Sequence, residues 1–230
     1  MKRRQPTRRS AKEPTARPVA PKSPDVRDAD GSRNNILDVA TREFSEKGLS
    51  GARVDEIAEL TNTSKRMIYY YFRSKEGLYK AVLERCYATV RRIDSSPALD
   101  KLPPVEALRE LVRVTFDFDN SHHDFIRIVM NENIHQGAHI KRMPAIKTRS
   151  RAVIAILQRL IDRGVQAGLF RADIDPVELH MSISALCFFN VSNRYTFGII
   201  FHQDMSSAAA LLKRREIVVE TIERWCCISR

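Results

Sequence analysis

The sequence predicts an all-α chain: three short N-terminal helices in helix-turn-helix order, a linking helix, and a larger helical domain behind them. Three observations carry that prediction. Apolar residues recur at spacings of three and four from Arg33 almost to the C-terminus, and capping residues punctuate these runs at Ser64, Ser74 and Asp175. No stretch offers the strict alternation of a half-buried strand.

Composition narrows the function classes. The chain has 230 residues, enough for a real hydrophobic core, and its formal net charge of +11 makes an anionic partner the first class to consider, either nucleic acid or a membrane surface. The longest apolar run, Ile183 to Val191, contains Ser184 and Asn190, so it is too short and too polar to cross a bilayer, and no membrane partner is expected. The four cysteines, Cys86, Cys187, Cys226 and Cys227, show neither disulfide-framework nor zinc spacing. With no apolar leader core, the chain reads as cytoplasmic and reducing. All eight glycines are isolated, which excludes a phosphate-cradling loop, and no GxSxG, HExxH or paired CxxC is found. No enzyme activity, cofactor or metal is expected.

Taken in order, residues 1–32 mix Lys and Arg with Pro6, Pro14, Pro18, Pro21 and Pro24 and contain few large apolar side chains. Such a segment cannot offset the entropy of ordering, so it reads as a disordered basic arm, either solubilising or DNA-touching. The first helix runs from Arg33 to Lys47: Ile36, Ala40 and Phe44 fall four apart on one face, and Gly48 follows where a left-handed residue is wanted. A second helix, about Val54 to Thr61, buries Val54, Ile57 and Ala58. Asn62 then turns the chain through a positive φ. Ser64 caps a third helix, Lys65 to Phe72, and Ser74 caps a fourth that carries Leu78, Val82 and Cys86 on one stripe to about Ile93, before Pro97.

The rest is also helical. Pro104 opens a helix with Leu108, Leu111, Val112 and Phe116; a segment around Phe125, Ile128 and Val129 follows; and a long helix from Pro144 ends at Gly168. Asp175-Pro176-Val177-Glu178 supplies a capping residue, a first-turn proline and a glutamate three after the cap, opening a helix expected to reach Phe201. The last helix spans about Ser207 to Cys227.

The third helix has two faces. At 100° per residue, Ile68, Tyr71 and Phe72 point inward while Arg66 and Tyr70 point outward, with Lys65 and Tyr69 on one flank and Met67 on the other. A guanidinium, an ammonium and phenol hydroxyls are what a helix presents to base edges and phosphates in a major groove. The preceding helix and turn have the spacing of a helix-turn-helix. Lys75 and the amides behind Ser74 then begin a fourth helix, whose dipole favours a phosphate.

The stretch ILDVATREFSEKGLSGARVDEIAELTNTSKRMIYYYFRSKEGLYKAVL resembles the DNA-binding domain of the tetracycline-repressor (TetR) family. The resemblance rests on Ala40, Phe44 and Gly48, on Ile57-Ala58, and on Ser64, Tyr69-Tyr70, Phe72, Ser74-Lys75-Glu76 and Leu78. It implies a DNA-binding domain over residues 33–80 and a ligand-binding and dimerisation domain over 81–230. It also implies a homodimer that binds a pseudo-palindromic double-stranded DNA operator, represses transcription, and is released by a small-molecule effector. Carried across by position, Lys65, Arg66 and Met67 match base-contacting residues and Tyr69, Tyr70 and Lys75 phosphate-contacting ones. Where the family commonly has Thr or Ser before the second helix, this chain has Ala52 and Arg53, so Arg53 is a further candidate phosphate contact and the cap falls to Ser50 or the backbone.

In the larger domain the helix after Pro176 is apolar around much of its surface, as an isologous interface requires. The candidate effector pocket is formed by Phe116, His122, Phe125, Met130, His135, Phe189 and Asn193. His135 and His139 are four apart, a metal-ligand spacing on a continuous helix, but Gly137 between them weakens the helix. Cys226-Cys227 beside Trp225 read as packing residues rather than a redox switch.

Overall fold

The structure, a computed structural model, describes residues 26–94 and 98–228. The N-terminal group is α1 (Val26–Gly51), α2 (Val54–Leu60) and α3 (Lys65–Phe72), followed by the linking helix α4 (Lys75–Asp94). Behind it come α5 (Ala98–Lys101), α6 (Pro104–Ser121), α7 (His123–Ile134), a 3-10 turn (Ile140–Arg142), α8 (Pro144–Gln166), α9 (Pro176–Ser192), α10 (Arg194–Phe201) and α11 (Ala208–Cys226). The fold is all-α. Among the described residues the β pairing is one antiparallel bridge, Phe170 to Cys227, tying the end of α11 to the turn after α8.

Local chemistry accounts for several helix starts. The Ser64 and Ser74 hydroxyls accept from the amides of Met67 (3.2 Å) and Gly77 (3.0 Å), and Asp175 accepts from Val177 and Glu178 at 2.7 and 3.1 Å. Each satisfies amides that the first helical turn leaves without intrahelical partners.

The first helix, expected to end at Lys47, continues to Gly51 only across a kink at Gly48 (φ 67°, ψ 176°), and three further features differ from the sequence reading. α1 starts at Val26, inside the stretch assigned to the disordered arm, because extending an established helix adds one hydrogen bond per residue fixed. The rest of that arm lies outside the described residues. The helix expected to run from Pro176 to Phe201 instead breaks at Asn193 (φ −109°, ψ 2°), where the Asn193 side-chain Nδ2 donates to Ser192 Oγ and its backbone carbonyl accepts from Phe197 N. The Thr196 hydroxyl donates to the same Asn193 carbonyl at 3.2 Å, the kind of side-chain bond to the backbone that competes with helix continuation. The short α5 went unpredicted, since four residues carry no readable period.

Two cores result. The N-terminal core joins Ile36, Phe44, Ile57, Ile68 and Phe72 to Leu78, Tyr79, Val82 and Leu83 of α4, and it also takes in Ile128, Met143 and Ile146. Packing of the head therefore does not end at residue 80: α7 and the start of α8 complete it. The second core lies among α6, α8, α9 and α11, around Leu108, Phe116, Leu157, Ile161, Ile183, Val218 and Ile222. Arg109 grips Glu223 across it through two hydrogen bonds of 2.7 and 2.6 Å.

A buried polar cluster joins the head to the rest. The Glu132 carboxylate, 2 % exposed, accepts from the Tyr79 hydroxyl (3.0 Å), lies 2.8 Å from His139 Nδ1, and receives the amides of His139 and Ile140 at 3.3 Å each. Tyr79 in turn meets Phe44 of α1 edge to face, with centroids 5.1 Å apart. Beside this cluster Ser45 of α1 donates to Asp124 of α7 at 2.9 Å, and Gly48 turns at φ +67°, a conformation L side chains rarely adopt. The His135–His139 pair is not on one helix. α7 ends at Ile134, and Gln136 and Gly137 turn at positive φ, so His135 bonds the Asn131 carbonyl while His139 faces Glu132. Among the described residues no group of three or more His, Cys, Asp and Glu side chains is placed to hold a metal ion.

Candidate nucleic-acid interface

The turn between α2 and α3 is fixed by hydrogen bonds at every step. Thr61, 7 % exposed, donates through its hydroxyl to the Ile57 carbonyl at 2.7 Å; Thr63 N reaches back to Ala58 O at 3.0 Å; and Asn62 adopts φ +51°. Asn35 of α1 donates to the Thr61 carbonyl at 3.3 Å, anchoring the turn to the first helix. Ile68 and Phe72 are buried behind α3, which fixes its rotation about its own axis.

That rotation sets what faces solvent. Lys65, Arg66, Tyr69 and Tyr70 are exposed, with Tyr70 the most open of the aromatic residues at 66 %, while Met67 and Tyr71 are half-buried. The three consecutive tyrosines split as the helical geometry requires, and Tyr70 and Tyr71 meet edge to face at 5.4 Å. Arg53 N-caps α2 through its backbone with no side-chain cap, leaving its guanidinium exposed and 3.9 Å from Glu56. Ser50 supplies no cap either; its carbonyl accepts from Lys75 Nζ at 3.2 Å, which holds the half-buried Lys75 stem beside the first turn of α4.

Two features escaped the sequence. Asp55 of α2 pairs with Lys65 Nζ at 2.9 Å, and that hydrogen bond holds the Asp55 carboxyl below its ordinary range and the Lys65 ammonium above its own. The two residues sit on different helices, so no single-helix spacing reveals the pair. Arg73 closes α3 at φ +68°, an uncommon conformation for a non-glycine residue, and its amide returns to Tyr69 O at 2.8 Å. The next turn admits α4 because Gly77 lacks a side chain: a Cβ there would stand 2.0 Å from the Phe72 carbonyl oxygen.

Behind the head, α4, α6, α7, α8 and α9 enclose a cavity of about 190 Å³. Leu111, Val129, Val153, Leu157, Ile183 and Phe188 form part of its apolar wall, and Thr115, Asp119, His180 and Ser184 its polar edge. Of the seven pocket residues expected from sequence, only Phe125 lines it. Phe116, 1 % exposed, is spent in the core; Met130 is half-buried elsewhere on α7; and His122 stacks on Phe118 at 3.9 Å in a separate, more open crevice. His135 is exposed, Phe189 meets Phe197 edge to face, and Asn193 forms the α9–α10 break. The displaced assignments followed aromatic content, whereas the polar edge carries its own signal. Thr115 and Asp119 on α6, and His180 and Ser184 on α9, are each four apart, which places each pair on one helix face.

An apolar surface also lies on the larger domain. Tyr195, Ile199, Ile200 and Phe201 of α10 are all more than half exposed, as is Leu212 of α11. Among the described residues no helix is long and apolar enough to cross a membrane.

Comparison with known proteins agrees with this division. Residues 36–82 match the family model described as bacterial regulatory proteins, tetR family, and residues 104–222 match the tetracyclin repressor-like C-terminal domain. The HTH-type transcriptional repressor NicS of Pseudomonas putida is 38% identical over 182 residues, covering 79% of this chain and 86% of NicS. The HTH-type transcriptional regulator RutR of Escherichia coli is 32% identical over 150 residues, 65% of this chain and 69% of RutR. Among solved structures, a tetR-family regulatory protein from Rhodococcus RHA1 superposes with a TM-score of 0.69 at 18% identity, covering 86% of this chain and 98% of the other.

Proposed function

The chain belongs to the TetR family of bacterial regulators, and from that premise we propose that two copies read one operator together and release it when a small molecule enters the cavity behind the heads. It is a helix-turn-helix DNA-binding regulator of the repressor type. The observation that best supports the reading is the outward face of α3: Lys65, Arg66, Tyr69 and Tyr70 stand in solvent while Ile68 and Phe72 lock the helix from behind. Arg66 reads base edges with Lys65 and Met67 beside it, and Arg53, Tyr69, Tyr70 and Lys75 hold phosphates.

The second copy docks on the apolar surface of α10 and α11, forming an isologous contact. Paired in this way, the heads enter successive major grooves about 34 Å apart, and the operator is a near-palindrome. The effector acts on that spacing. α4 runs from the phosphate-contacting Lys75 to Tyr87 on the cavity wall, so a ligand that moves α4 moves the head with it. The protein works in the cytoplasm on chromosomal DNA and has no catalytic role in this reading.

Selection of genomic fragments by the purified protein at moderate salt tests the proposal. One enriched near-palindrome is expected. Binding without an enriched motif would overturn specific recognition and point to an architectural DNA-binding protein held by its net charge of +11.

A further inference from the structure

The head meets the larger domain through two kinds of contact, and only one of them has direction. Ile128, Met143 and Ile146 close the head core from the larger domain, but apolar burial is non-directional and tolerates a small rotation. Glu132 differs. One oxygen of its carboxylate accepts from the Tyr79 hydroxyl at 3.0 Å and lies 2.8 Å from His139 Nδ1, and the other accepts from the amides of His139 and Ile140 at 3.3 Å each. The imidazole and both amides belong to the turn after α7, so they hold the carboxylate in the larger domain. Tyr79 belongs to the head. Its ring stands edge to face on Phe44 at 5.1 Å, and further along α4 Arg85 ties that helix to Asp38 (2.7 Å) and Thr41 (2.8 Å) of α1. The Tyr79–Glu132 hydrogen bond therefore crosses from one unit to the other, and such a bond weakens steeply as its angle opens. Tyr79 is 2 % exposed, so a rotated head would leave its hydroxyl buried without a partner. A second tie, Ser45 to Asp124 at 2.9 Å, ends on a carboxylate that is only half-buried.

Given the reading above that two copies bind one operator, we infer that Glu132 is a positioning residue for DNA: it fixes the angle of each head on the larger domain, and thereby the half-site spacing that the pair accepts. Tyr79 lies one turn along α4 from Lys75, about 6 Å away, so the bond sits beside the end of the helix that meets phosphate. One base pair added between half-sites moves the second by about 3.4 Å and turns it by about 34° around the duplex. A head held by apolar contacts alone accommodates part of that change, whereas a head held by the Tyr79–Glu132 bond does not. Glu132 is buried and touches neither base nor phosphate, so the sequence preference within a half-site stays with α3.

Operators built from the near-palindrome recovered in the selection above, unchanged and with one base pair added or removed at the centre, test the inference. They are titrated with the full chain at a temperature where every variant is folded. The unmutated protein is expected to bind the altered spacings at least about tenfold more weakly than the original. Two variants break the bond. Tyr79→Phe keeps the ring and removes the hydroxyl, and Glu132→Gln places an NH2 group against a donor whichever way its amide turns. Both are expected to reduce the spacing penalty to about threefold or less, with the half-site sequence preference unchanged. A role in stability alone would lower the melting temperature and weaken binding to all spacings by one factor. A tenfold penalty kept in either variant would therefore overturn the inference while leaving paired reading in place. Unmutated protein that binds all spacings alike, or a selection without a near-palindrome, would overturn both.

Discussion

The hydroxyl of Tyr79, on the helix that leaves the head, donates to the carboxylate of Glu132, on a helix of the larger domain, at 3.0 Å. Burial opposes ionisation of Glu132, but hydrogen bonds from His139, Tyr79 and the Ile140 amide outweigh it and hold the carboxyl below the usual glutamate range. Burial, reinforced by the Glu132 charge, pushes the Tyr79 phenol up, so it remains a donor. As pH falls the unfolded chain takes up the proton first, so the stabilisation is complete above the ordinary glutamate pKa of about 4.3 and is lost as pH drops through the folded value. Glu132→Gln is expected to cost about 1–3 kcal/mol at neutral pH and to flatten the acid limb of stability. Urea midpoints of both proteins between neutral and acidic pH check this; parallel curves would show that another group carries the acid dependence.

Arg66 and Lys75 separate reading from holding. Arg66→Ala is expected to weaken operator binding by about 1–3 kcal/mol and to relax base preference at its contact. Lys75→Ala should weaken all sequences alike and lower the salt slope by about one. Binding selections and salt titrations on the two variants distinguish them; a changed base preference in the Lys75 variant would refute its role as a phosphate contact.

Asp55 holds Lys65 at 2.9 Å on the face that meets DNA. Asp55→Asn removes a negative charge from that face and frees the ammonium, so affinity for operator and random DNA is expected to rise severalfold at low salt, with a steeper salt dependence. Unchanged random-DNA affinity would mean that the face does not approach the backbone.

At Gly77 the constraint is steric. A Cβ 2.0 Å from the Phe72 carbonyl oxygen forces the backbone between α3 and α4 to move. Gly77→Ala is expected to destabilise the protein by about 1–3 kcal/mol, and to reduce operator affinity under conditions where the variant is still folded. Thermal unfolding and operator titration measure both effects.

Ile199 is 75 % exposed on α10. If that surface joins two copies, Ile199→Asp buries a charge at the contact and should give a monomer in sedimentation, with operator affinity falling at least about tenfold because each head then binds alone. A variant that remains dimeric would place the interface elsewhere.

The sequence by itself determined the helical fold, the bounds of α2 and α3, and the caps at Ser64, Ser74 and Asp175. Each depends on residues within one or two turns of one another, and a hydroxyl or carboxylate three residues ahead of an amide acts the same way in any tertiary setting. The two faces of α3 were legible for the same reason, since helical geometry separates Arg66 and Tyr70 from Ile68 and Phe72. Tertiary structure decided everything that joins distant segments: the Asp55–Lys65 pair, the Tyr79–Glu132 contact, and the head core completed by Ile128, Met143 and Ile146. It also decided the cavity. Aromatic content drew the sequence reading to Phe116, Met130 and Phe189, but which face of each helix turns toward a neighbour is set by how the helices pack, and that packing put Asp119 and His180 at the cavity edge instead.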